Sequence, residues 1–166
     1  MKTALAAVLA LAASAAADPL PKQVQNMERL VGTWKGTGSL AMGKEKAKLG
    51  FTFACKRTSA KFGVLCSLEI TGVPSMAGYA ETDLFGYEPN SDTYHWYSVT
   101  SAGETHDHVA KAGDSSKIQY VYTGTQEGKP LKEVIDMEIG KDTISVRSET
   151  FIAGASVAVL EGKGTK

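Results

Sequence analysis

From Val31 to the end of the chain, short runs rich in Val, Ile, Thr, Phe and Tyr alternate with clusters of turn residues. β-branched and aromatic residues suit a pleated, half-buried surface, and the clusters interrupt it at regular spacing. The interruptions fall at Ala41 to Lys44, Thr58 to Lys61, Gly72 to Ser75, Glu88 to Asp92 and Ala102-Gly103. They continue at Gly113 to Ser115, Gln126 to Pro130, Gly140 to Asp142 and Ala153 to Ala155. The cadence predicts about ten strands. Alternating faces are clearest in Ile118/Tyr120/Tyr122, Ile135/Met137/Ile139 and Ile144/Val146. No later segment carries a helical period of useful length, so βαβ units are excluded and successive strands must pair antiparallel.

That many strands must close on themselves or fold into a sandwich to manage their edges. Periodicity does not separate the two, but the short connections favour a closed up-and-down barrel, because a Greek key needs a long return. Ahead of the strands, Val24, Met27 and Leu30 recur at three-residue spacing over Lys22 to Leu30. This predicts one short amphipathic helix able to plug an end of the barrel.

The N-terminus reads as an export signal. Lys2 supplies a positive start, Ala4 to Ala13 is apolar, and Ala15-Ala16-Ala17 offers a cleavage site before Asp18. The expected organisation is a cleaved signal over residues 1–17, an extension with the short helix over 18–30, and a barrel domain over 31–166. The apolar run is about half of the ~20 residues a membrane span requires, and nothing later is long enough either. The chain is thus expected in the periplasm or outside the cell, as a monomer. With 18 basic and 18 acidic residues it has no electrostatic footprint for nucleic acid or an anionic membrane.

Cys55 and Cys66 are the only cysteines. Strands over Phe51 to Arg57 and Phe62 to Ile70, joined by a turn at Ser59 to Lys61, place the two opposite each other on the apolar faces. An oxidising compartment then favours a disulfide over two reduced core thiols. With no third cysteine and no nearby histidine, zinc is not expected there.

Leu30-Val31-Gly32-Thr33-Trp34-Lys35-Gly36 resembles the opening strand of lipocalin-like, or calycin-type, barrels. Met76-Ala77-Gly78, Leu84-Phe85-Gly86-Tyr87-Glu88-Pro89 and Tyr94 are similar to a stretch of a lipocalin-like family of unknown function found among exported bacterial proteins. The resemblance implies a ligand-holding barrel, with Gly32 and Trp34 in structural roles at its floor. The family's barrels often end with an arginine on the opening tryptophan; here the last strand, Val157 to Lys166, offers Lys163 instead. More distantly similar nitrobindin-like barrels hold haem by a late histidine, and this chain has none after His108.

His106-Asp107-His108 is the sharpest chemical feature. Residues two apart on a strand share a face, so both imidazoles could reach one metal ion, joined by Glu104 or by His95 from a neighbouring strand. The bland alternative is a solvated pair at a polar rim. Glu133 shares parity with Ile135 and Met137, which puts it on an inward face unless it lies at an exposed strand end. Phe53, Phe85, Tyr87, Tyr94, Trp96, Tyr120 and Tyr122 are the expected ligand-lining aromatics, offering apolar faces and hydroxyls. The opposing expectation is a filled core. Gly36-Thr37-Gly38 is not a phosphate loop, and no nucleophile motif is present, so no catalytic residue is assigned. The expected role is binding a small apolar or amphipathic ligand, with no cofactor. A haem- or metal-associated barrel using His106 and His108, and a filled interaction module, are the alternatives.

Overall fold

A computed structural model describes residues 19–113 and 116–166. The expected signal over 1–17 lies outside the described residues, as does part of the turn at Gly113 to Ser115. A short helix α1 (Lys22–Met27) runs into a 3-10 turn (Glu28–Leu30) and leads to ten strands. These are β1 (Gly32–Met42), β2 (Glu45–Arg57), β3 (Gly63–Thr71), β4 (Tyr79–Glu88) and β5 (Thr93–Thr100). The second half comprises β6 (Thr105–Lys111), β7 (Lys117–Gln126), β8 (Lys129–Ile139), β9 (Thr143–Ile152) and β10 (Ala155–Thr165). Each strand pairs antiparallel with its sequence neighbour, and β10 closes back onto β1. Closure removes every sheet edge, as the strand cadence requires. β2 begins at Glu45 rather than Phe51, because Ala47 and Leu49 continue the inward face beyond Gly50, which does not break the strand.

Strand alternation sorts the side chains. On β4, Tyr79, Glu81, Asp83, Phe85 and Tyr87 share the inward parity; on β5 so do Tyr94, Trp96, Ser98 and Thr100. Cys55 and Cys66 face each other across β2 and β3 and form a disulfide, with Cα atoms 4.0 Å apart.

The helix covers one end of the barrel. Val24, Met27 and Leu30 are buried against Trp34, Val64 and Phe85 in a continuous apolar core. Trp34 is fully buried, and its indole N–H donates to the Leu30 carbonyl at 2.8 Å, fixing the chain where helix becomes strand. Arg57 pairs with Glu28 at 2.6 Å and ties the 3-10 turn to β2. The cation over Trp34 is Lys166, whose Nζ lies 4.5 Å from the ring centroid and donates to the Arg29 carbonyl at 3.0 Å. Lys163 has the opposite strand parity to Gly162 and Gly164 and is exposed, so the lysine on the Trp34 face is Lys166 rather than Lys163.

Gly36 and Gly38 of β1, with Gly162 and Gly164 of β10, leave the inner wall bare at the closing seam. Phe51 occupies that space: a Cβ on Gly36 would sit 2.5 Å from its ring and 2.2 Å from the Lys163 carbonyl. Gly32 has φ 131°, a conformation open to glycine and costly for other residues.

Candidate functional site

The helix-covered half of the interior is solid. Phe85 stacks at a tilt on Trp96 with centroids 4.9 Å apart, and both rings meet Tyr120 edge-on. Phe53 meets Phe85 in the same edge manner at 6.2 Å. Tyr94 is buried beside them, and its hydroxyl donates toward the carbonyls of Gln23 and Gly113. Tyr87 packs on Tyr94 and hydrogen-bonds Asp92.

Beyond Phe53 and Trp96 the barrel is open, enclosing a cavity of about 290 Å³. One wall is apolar and comes from β1, β2, β3, β9 and β10, through Leu40, Leu49, Phe51, Leu68, Val146 and Leu160 among others. The facing wall comes from β4, β5, β6, the turn before β6 and β8, and carries Tyr79, Glu81, Ser98, Thr100, Glu104, His106, His108 and Glu133. Among the described residues lining the cavity there is no lysine or arginine.

Of the seven aromatics expected to line a pocket, Phe53 and Trp96 border this cavity. Phe85, Tyr94 and Tyr120 lie below it in the core, and Tyr87 lies against the covered end. Tyr122 shares the inward parity of Tyr120 but does not border the cavity, and it stacks on His106. The physical reason is that alternation reports inside or outside, while height along the barrel axis depends on which end the helix covers.

The histidines are inside. His108 is 4% exposed, and its Nε2 lies 2.8 Å from Glu133 Oε2; His106 Nδ1 lies 3.0 Å from the same oxygen. A solvated rim pair is therefore not what the structure contains. The reading of Glu133 as a group on an inward face matches its position. One donor atom from each of the three residues lies within 4.8 Å of the other two. His95 faces outward and pairs with Asp107 at 3.1 Å, so it cannot join them. Tyr122 stacks on His106 at 4.2 Å, and the Trp96 and Tyr122 rings flank His108 at 5.6 Å each. Burial opposes charge on Glu133, but the hydrogen bond from His108 and the two imidazoles outweigh it and hold this carboxyl below its usual value. The site straddles the thinnest seam of the barrel: among the described residues a single register pair, Val109 with Val121, joins β6 to β7.

Two further acids escaped the sequence reading. Asp83 is fully buried and accepts the Trp96 indole N–H at 2.8 Å; burial, then the charge of Glu81, pushes its carboxyl up to about 8. Glu81 accepts the Tyr79 hydroxyl, and burial raises its carboxyl too. The signal was present in Tyr79-x-Glu81-x-Asp83-x-Phe85, where two acids share the parity of core aromatics.

No family model and no curated protein matches the chain. Solved structures do resemble it. Rv2717c from M. tuberculosis superposes with a TM-score of 0.69 at 14% identity, over 89% of this chain and 99% of that one. The S-type phycobiliprotein lyase CPES from Guillardia theta does so with a TM-score of 0.53 at 9% identity, over 89% and 98%. At such identities the likeness shows a shared barrel fold.

Proposed function

We propose that the chain is an exported binding barrel whose open half takes a small amphipathic molecule. The observation that carries this reading is the cavity itself: about 290 Å³, apolar on one wall and lined with acids and imidazoles on the other. Pockets for small ligands commonly start at about 300 Å³ and combine apolar walls with a few convergent polar groups. Affinity then comes from burying the ligand's apolar body, at roughly 25 cal/mol per Å² before the costs of association. Head-group choice follows from charge. A wall holding Glu81, Glu104 and Glu133 without a lysine or arginine favours a cationic or hydrogen-bond-donating head and repels a carboxylate. The signal-like residues 1–17 and the disulfide support export.

The test is displacement of a neutral apolar dye from EDTA-dialysed protein by dodecylammonium, dodecanol and dodecanoate. The ammonium and the alcohol should displace at about tenfold lower concentration than the carboxylate, a difference of about 1.4 kcal/mol. Equal potency of the carboxylate contradicts the head-group assignment, and an absence of dye binding contradicts the binding role.

A further inference from the structure

We propose that His106, His108 and Glu133 form a site for a divalent transition-metal ion of the zinc class, set in the polar wall of the cavity. The donor set comes first. Two imidazoles and one carboxylate give an N2O arrangement, which suits Zn2+, Co2+, Ni2+ or Cu2+ rather than Mg2+ or Ca2+ with their preference for oxygen. Thiolate competition is absent, because both cysteines are committed to the disulfide.

Geometry comes second. Zinc bonds of about 2.0–2.2 Å place neighbouring ligand atoms of a tetrahedron about 3.3–3.6 Å apart. Glu133 Oε2 already lies 2.8 Å from His108 Nε2 and 3.0 Å from His106 Nδ1, so small side-chain adjustments would admit an ion. The rings are held in place: His106 lies flat on Tyr122, and His108 is packed between aromatic neighbours. His108 Nδ1 is buried with no hydrogen-bond partner, so in the ion-free protein Glu133 alone fixes the polar side of that ring.

The surroundings come third. Glu81 and Glu104 stand on the same wall, and no lysine or arginine among the described lining residues competes for the position. All three ligands border the cavity, which leaves a remaining coordination position to water or to a donor atom of an occupant. An ion there would also clip β6 to β8 across the β6–β7 seam, where a single register pair joins the strands among the described residues. The site does not depend on the cavity holding an organic molecule: metal can bind an empty barrel, and dye displacement in EDTA reports on the cavity without metal.

The experiment uses the full chain purified without a polyhistidine tag and dialysed free of EDTA after chelation. Calorimetry with Zn2+ and visible absorption with Co2+ should show one ion per chain, with Co2+ bands of a low-coordinate site, and Zn2+ should raise the melting temperature. Glu133→Gln and His106→Asn should each weaken binding by about tenfold or more and abolish the thermal shift. His95→Ala, outside the site, should change neither. Circular dichroism identifies the folded variants; if Glu133→Gln does not fold, the His106 position, less buried than His108, carries the comparison. Wild-type binding no tighter than that of the folded ligand variants overturns the proposal. An equal loss in His95→Ala or a Co2+ spectrum of the aqua ion does so too. The triad would then be a hydrogen-bonded His–Glu–His group only.

Discussion

Asp83 holds one carboxylate oxygen against the Trp96 indole, while the other is buried without a partner. Its ordinary value near 3.9 applies in the unfolded chain, and in the fold it rises to about 8. Between those values the folded protein keeps a proton that the unfolded chain has released, so this residue's contribution to stability is full below pH ~4 and declines as pH rises to about 8. Asp83→Asn keeps an acceptor for Trp96 and removes the titration. Relative to the parent, the variant should gain stability progressively from pH 5 to pH 8, at up to about 1.4 kcal/mol per pH unit. Urea unfolding at the two values measures it, and parallel pH slopes for parent and variant would contradict the assignment. At this scale the sequence was half legible. Parity put His106 and His108 on one shared face and offered Glu133 an inward one, yet the inward side of the two histidines and the outward side of His95 came only from the β5–β6 register. That Phe85 and Tyr120 fill the core while Trp96 borders the cavity depends on axial height, which no local pattern encodes.

Two devices hold the strands. The disulfide closes a short loop between β2 and β3, with a sequence separation of 11. Chain entropy assigns a crosslink of that span about 2–3 kcal/mol. Cys55→Ala/Cys66→Ala should therefore melt roughly 5–10 °C lower, by the scaling for domains of this size. Alkylation without reduction should leave the parent unlabelled. The glycines under Phe51 form the second device. At Gly36 a Cβ would strike both the ring and the Lys163 carbonyl, whereas at Gly162 it meets the ring edge at 3.4 Å. Gly36→Ala should cost about 1–3 kcal/mol as overpacking, and Gly162→Ala distinctly less, in denaturant unfolding. Equal costs would mean that the backbone carbonyl is not what limits Gly36. The cysteine hairpin was readable because its turn and both apolar faces are local. The glycine seam was not, since β1 and β10 lie at opposite ends of the chain.

At the scale of the molecule, strand number, antiparallel order and the end plug follow from turn spacing and a three-residue helical period. Interior volume does not, because it is the difference between what ten inward faces could fill and what they do fill. The barrel is solid where aromatics of β4, β5 and β7 meet the helix and hollow where Ser98, Thr100 and Ser148 replace them. The central claim, that this hollow holds a small molecule, is tested most directly by filling it. Ser148→Trp places a large ring in the cavity from β9 and leaves the residues His106, His108 and Glu133 themselves unaltered. Calorimetric titration of dodecylammonium into the EDTA-dialysed parent and this variant should show saturable one-to-one binding in the parent. The folded variant should bind at least about tenfold more weakly. Equal affinity in both proteins would place the ligand outside the barrel and contradict the account.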